Sequence, residues 1–286
     1  MNQFGWTAAG LLAVSMAAGS LAPQSQATPR KRFAGGYQVL AGDFHVHSFP
    51  LSWSTLSPFD TVWEAERLGL DVIAMSGHNN VVVSQVGRWF SERIGGPLVL
   101  AAEEVHAPSY HMVAVGIEHT VSWRQPAASA IDEVHRQGGI AIAAHPLSSY
   151  WPGWDSEAMR RLDAAEVVHP SIFYDDDRRR QVRQFFARRK LTAIGSSDVH
   201  YSWTIDYART YVFVTERSAR GVLDALRQGR TVVYDRDGQA FGDPELIQLD
   251  AAAPLAPRRP SGFWSHFSLV TGVLGLLMGV ASFRAA

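Results

Sequence analysis

Between residues 33 and 250 the chain repeats one pattern: a short apolar run, a polar break, then an amphipathic stretch. The runs are YQVLAGDF, DVIAMS, PLVLAAEE, HMVAVGI, GIAIAAHP, AAEVVHP and LTAIGSSD. Most are apolar on both faces, as strands covered on both sides must be. Helix-like segments at 59–68, 129–137, 156–163 and 176–189 fall between them. Strand and helix in turn predict a parallel sheet under helices. Six or seven such units suit an α/β barrel better than an open sheet.

Both ends break this pattern. Residues 6–22 are apolar and uncharged, and Ser25 and Ala27 sit like the small residues before a leader-peptide cut. Residues 1–29 are therefore expected to be a signal peptide or an N-terminal membrane segment. Residues 251–262 read as a Pro/Arg linker, and 263–283 as a transmembrane helix anchoring the domain at 33–250. A cleaved leader places the domain outside the cytoplasm. Arg30, Lys31, Arg32, Arg258 and Arg259, on the domain side of both segments, favour the cytoplasmic face. The expectation adopted is a membrane-associated, extracytoplasmic domain.

Composition narrows the chemistry. The net charge is −1, with no basic stripe, which argues against a nucleic-acid partner and for a small-molecule substrate. Eleven histidines and no cysteine leave imidazole and carboxylate as the available metal ligands. They stand in a telling place. His45 and His47 end the first run, and His78 follows the second. Glu103 and Glu104 end the third, His111 opens the fourth, and His145 ends the fifth. Asp198 and His200 follow the last. In a barrel these strand ends share one mouth. His45 and His47, two apart, have the parity to face the same way. Singly each residue is an ordinary polar strand end; together they predict a site for zinc, manganese or iron. More than four or five ligands imply more than one ion, and metal-assisted hydrolysis by a bridging hydroxide. Other residues read more plainly. His135 is expected on a solvated helix face, and the DDDRRR run at 175–180 as a charged helix start.

These motifs, in this order, resemble the PHP (polymerase and histidinol phosphatase) family. The opening DxHxH is Asp43-Phe44-His45-Val46-His47, and Ser76-Gly77-His78-Asn79 stands where the family has TDHN. Glu104-Val105, Tyr110-His111, the AHP at His145 and Ser196 to His200 follow. The likeness spans residues 37–235. It is also similar, more narrowly, to the carbaryl-hydrolase-like branch, through the tail RTYVFVTERSARGVLDALRQGRTVV.

The resemblance implies a distorted (β/α)7 TIM-like barrel of PHP type with two or three divalent ions. By analogy His45, His47, Glu104 and Asp198 hold one ion. Glu104 bridges to a second with His111 and His145, and His78 and His200 face a third. Glu104 is preferred to Glu103 because Val105 follows it, as in the family motif. Catalysis is assigned to His45, His47, Glu104, His145, Asp198 and His200. Two departures weaken the third site. Gly77 replaces an acid, and FPLSWSTLSP offers no ionisable ligand after DxHxH. The implied activity is phosphoester hydrolysis. Carboxylester or carbamate hydrolysis, and a non-catalytic metal-dependent sensor, are the alternatives.

Overall fold

The computed structural model describes residues 3–21, 32–200, 205–250 and 263–284. The chain divides into two compact units, one containing the first and last helices and one the segment between them.

In chain order, helix α1 (Gln3–Leu21) precedes strand β1 (Arg32–Ala34) and the long β2 (Tyr37–Val46). Helix α2 (Pro58–Leu68) begins at a capping box: Ser57 Oγ accepts from the Asp60 amide and Asp60 from that of Ser57. It ends at Gly69, whose φ of 72° a side chain would strain. Then come β3 (Val72–His78), α3 (Val82–Ile94), β4 (Leu98–Ala107), β5 (Tyr110–Val115), α4 (Ala127–Arg136) and β6 (Ile140–Ala143). Helix α5 (Ser156–Arg161), β7 (Ala164–Val168), α6 (Asp176–Phe186) and β8 (Thr192–Gly195) follow. The domain closes with β9 (Thr210–Val214), α7 (Ala219–Arg227), β10 (Thr231–Tyr234), β11 (Ala240–Gly242) and α8 (Pro244–Asp250). All four helical segments expected between the runs form, as α2, α4, α5 and α6.

The sheet runs β11-β10-β9-β2-β3-β4-β5-β6-β7-β8. It curls into a nearly closed TIM-like α/β barrel. Where β8 returns to β2, Val46 and Val199 bridge in parallel, and the Asp198 amide donates to the His45 carbonyl at 2.8 Å. Thr210 Oγ1 and Thr231 Oγ1 tie β9 and β10 to β8, each at 2.8 Å from a β8 carbonyl.

One expectation fails locally. The pairs β2/β3, β3/β4, β6/β7 and β7/β8 are parallel, but β5 is antiparallel to both neighbours. Only Pro108 and Ser109 link β4 to β5, too short a span for the crossover a parallel pair needs.

Alternation sorts the side chains into layers. Leu40, Phe44, Val72, Ala74, Leu100, Ala102, Val113 and Ile142 share the inner cluster. Val39, Ala41, Ile73 and Val99 pack with Val62, Ala65 and Leu68 of α2. The inner parity carries His78, Glu104, His111 and Glu166 to the C-terminal mouth, and Asp198, past the end of β8, joins them through its amide bond to the His45 carbonyl. On β2 the inner face passes from Leu40 and Phe44 to the odd positions across a register shift between Asp43 and Val46, which brings His45, and His47 just past the strand, to the side of the other ligands.

The two terminal helices pair with each other. Helix α9 (Phe263–Arg284) lays Gly272, Gly275 and Gly279 against Ser15, Leu12 and Ala8 of α1. A Cβ at Gly275 would stand 3.0 Å from Leu12 Cγ, so glycine permits the close approach. The expected transmembrane anchor is corrected here. Among the described residues no helix is long and apolar enough to cross a membrane. The small-residue face of α9 is taken up by α1. The leader-cleavage stretch at 25–29 and the linker at 251–262 lie outside the described residues.

Candidate metal centre

Every residue expected in the site converges on the mouth. Glu104 is its hub, almost fully buried. Its Oε1 lies 3.0 Å from His111 Nδ1 and 3.2 Å from His145 Nε2. Its Oε2 lies 3.1 Å from His78 Nε2, 3.4 Å from His47 Nε2 and 3.5 Å from His45 Nε2. One carboxylate thus presents an oxygen to each of two histidine groups. Glu103, next in the chain, faces the opposite way, and its Oε1 accepts from the Val121 amide. Burial raises its pKa to about 7, against the pull of the Val121 and Thr120 contacts.

Asp198 stands opposite Glu104. Its Oδ1 lies 2.9 Å from His47 Nε2 and 3.3 Å from His45 Nε2. The ligand atoms of His45, His47, Glu104 and Asp198 fall within 4.8 Å of one another, as do those of Glu104, His111 and His145. His47, His78 and His200 form a third such group, so His47 supplies a third imidazole where the motifs alone left two. The Gly77 departure has a packing reason: a Cβ there would meet Val83 at 3.0 Å and the Asn80 carbonyl at 3.1 Å.

The electrostatics call for positive charge. Burial alone would lower the His45 pKa, yet Asp198, Glu166 and Glu104 carry it well above its ordinary value. Glu104 and Asp198 are held well below the usual carboxylate range despite their burial, chiefly by His45. Buried His47, by contrast, is pushed down to about 4 by desolvation, only partly offset by Asp198 and Glu104. The His45 and His47 Nε2 atoms face each other at 3.1 Å. Among the described residues, Asp198 Oδ1 and His111 Nδ1 are buried without an aligned hydrogen-bond partner. Lone pairs converging in a dry pocket are costly unless a cation gathers them. The donor set, imidazole and carboxylate, fits divalent zinc, manganese or iron.

Several supporting residues were missed from sequence. Glu166 on β7 accepts from His45 Nδ1 at 2.8 Å and from the His145 amide at 2.6 Å. That bond keeps the His45 proton on Nδ1 and turns Nε2 to the cluster. Burial would raise the Glu166 pKa, but His45 and His169 hold it down to about 2. His169, just past β7, brings Nε2 to 3.2 Å from Asp198 Oδ2. Both residues lie in the run AAEVVHP. The strand-end rule that found the other histidines applies to His169 equally. Ser52 lies in the loop without ionisable residues. Its Oγ meets His47 Nδ1 at 3.1 Å and the His78 amide at 3.0 Å. His106 adds its ring beside His111, with centroids 3.9 Å apart.

Asp43, the first residue of the DxHxH pattern, turns away from the ligands. It accepts from the amides of Ser197 and Asp206 at 3.1 and 2.8 Å, locking β2 to the segment that carries Asp198 and His200. Its burial raises its pKa to about 6, with those bonds opposing. His145 and Asp198 hold positive φ, 27° and 46°, a strain found where geometry serves a site. Aromatic rings flank the mouth. Tyr150 lies 4.4 Å from the His111 ring, and the exposed Trp53 stands edge-on 6.4 Å from His78.

Comparison with known proteins agrees with this architecture. The PHP-associated family model matches residues 177–231. A two-domain protein from Bacteroides vulgatus, described as containing a predicted PHP-like metal-dependent phosphoesterase, superposes with a TM-score of 0.62. It shares 24% identity over 78% of this chain and 73% of its own, and at that identity the likeness establishes the fold. A putative metal-dependent phosphoesterase from Bifidobacterium adolescentis gives 20% identity and a TM-score of 0.45 over 56% of this chain and 87% of its own. No curated protein matches the chain.

Proposed function

We propose that the chain is a metal-dependent hydrolase of the PHP superfamily, with a phosphoester as the bond cut. The observation that carries the reading is Glu104, whose two oxygens address two separate histidine groups. The family match over 177–231 and the description of the Bacteroides vulgatus protein support it.

His45, His47, Glu104 and Asp198 would hold one ion, and Glu104, His111 and His145 a second. His47, His78 and His200 face a further position. When bound, such ions supply Lewis acidity toward a substrate oxygen and bring the pKa of water toward neutrality. The protein's own groups do the rest. Glu166 keeps the His45 proton on Nδ1. His200 Nδ1 donates to the Asp198 carbonyl at 3.0 Å, which leaves Nε2 with its lone pair. His78 and His200 are the most exposed of these ligands, ahead of Asp198 and His145, so substrate meets them first.

Ester or carbamate cleavage, as in the carbaryl-hydrolase-like branch, is the second reading. Trp53 and Tyr150 favour it, because they offer flat walls to an aryl group beside the cluster. The test uses the full-length protein loaded with zinc or manganese. Hydrolysis of bis-p-nitrophenyl phosphate is measured beside that of 1-naphthyl methylcarbamate, each with and without chelator. Chelator-sensitive turnover of the phosphodiester supports the proposal. Turnover of the carbamate alone moves the chain to the second reading. Metal binding with silence on both leaves the sensor alternative standing.

A further inference from the structure

We infer that His169 is a positioning residue for the metal centre: it acts as an Nε2–H donor that orients Asp198, and it is not itself a ligand. The inference rests on the reading of the cluster as a metal centre and assigns a role within it.

His169 is buried at the end of β7, where it begins the 3-10 turn Pro170–Ile172. The Ser171 amide donates to His169 Nδ1 at 3.1 Å. An amide nitrogen can only donate, so Nδ1 must be the unprotonated nitrogen. Ser171 Oγ, at 2.8 Å from the same atom, crowds that side further. The ring proton therefore sits on Nε2. That atom points into the cluster, 3.2 Å from Asp198 Oδ2 and 3.9 Å from Glu166 Oε2. Among the described residues it is buried with no aligned hydrogen-bond partner, and Asp198 Oδ2 is the acceptor within reach.

A nitrogen that carries a proton has no lone pair for an ion. What it can do is hold one oxygen of a carboxylate. Asp198 needs this, because its two oxygens face different neighbours. Oδ1 meets His45 and His47 at 3.3 and 2.9 Å, and Oδ2 meets His169. Fixing Oδ2 fixes the rotation of the carboxylate and so presents Oδ1 to the two imidazoles. Strand β7 then does for Asp198 through His169 what it does for His45 through Glu166. Outer partners of this kind are typically worth about 10- to 100-fold in metal affinity.

The test compares two replacements of similar size in the full-length protein. His169→Gln keeps a donor near the Nε2 position, and His169→Met fills the space without one. Zinc content at saturation and affinity by chelator competition are measured for both, with circular dichroism as the check on folding. The expected result is unchanged stoichiometry in both, about 10- to 100-fold weaker affinity in His169→Met, and recovery to within a few fold in His169→Gln. Loss of a whole ion at saturating zinc in both variants would make His169 a ligand and overturn the inference. Equal affinity in wild type and His169→Met would overturn it too. If neither variant folds, the ring 15N shifts of His169 in the wild-type protein decide the matter: the Nε2–H tautomer supports the inference and the Nδ1–H tautomer refutes it. Failure of the wild type to bind zinc would instead remove the metal-centre reading beneath it.

Discussion

His45 Nδ1 and Glu166 Oε1 lie 2.8 Å apart, both fully out of solvent, and join strands separated by 121 residues in the chain. Glu166 is a double acceptor, since its second oxygen takes the His145 amide. Glu166→Gln can serve only one of these donors, because its NH2 group would face the other. Metal affinity is expected to fall by about tenfold or more, with the fold retained. Chelator competition on the purified variant checks this, and unchanged affinity would show that the bond does not orient His45.

Glu103 and Glu104 are neighbours in sequence with opposite fates. Glu104→Gln removes the oxygen shared between two histidine groups, and activity is expected to drop by at least about a hundredfold with loss of bound metal. Glu103→Gln leaves the cluster untouched, so metal content stays at the wild-type value. The Glu103 side chain, with a burial-raised pKa of about 7, already tolerates a neutral form. Metal analysis of the two variants side by side separates them. Equal losses would contradict the strand parity on which the assignment rests.

The ligand-bearing strand ends were legible because each apolar run opens on, closes on or is followed by a histidine or a carboxylate. In the sequence only the family motif prefers Glu104 to Glu103; the structure adds the physical reason, since Ala102 and Glu104 share the inner face of β4. What was not legible depends on contacts between distant segments. Glu166 looks like an isolated acid in an apolar run until His45 arrives from β2 and His145 from β6. Asp43 opens DxHxH, but its role at the seam of the barrel shows only in its bonds to the Ser197 and Asp206 amides. The reversal of β5 left no trace in the composition of HMVAVGI, and only the two-residue link before it carried the signal. At the termini, apolar content alone reads as a membrane span. That the glycine face of α9 lies against Ser15, Leu12 and Ala8 of α1 could not be read from either segment alone.

His135 illustrates a histidine outside the site. Its Nε2 bonds Asp163 at 2.8 Å, and this bond raises its pKa against the opposing effect of partial burial. The folded value thus lies above the unfolded one. Stability from the pair is fully present below pH about 6.5 and is lost as pH rises through the raised folded value. With 37% of the side chain exposed, the contribution is screened to at most about 1 kcal/mol. Thermal unfolding of His135→Gln should show a small deficit at pH 5.5 that vanishes at pH 8.5. A deficit that grows with pH would reverse the assigned sign.

Trp53 is 75% exposed, so its removal should cost little stability. Its position is another matter, because it stands edge-on to His78 at the mouth of the cluster. An aryl group on the substrate would gain a stacking partner there, worth about 0.5–1.5 kcal/mol beyond the area it covers. Trp53→Ala should therefore raise KM for an aryl ester by about 3- to 10-fold and leave kcat nearly unchanged, since the ring touches substrate remote from the bond that breaks. A methyl ester of the same acid, which cannot reach the ring, serves as the control and should be insensitive. Parallel kinetics on the two substrates give the answer. Equal effects on both would mean that Trp53 shapes the loop carrying Ser52, and through it His47, and is not a wall for the substrate.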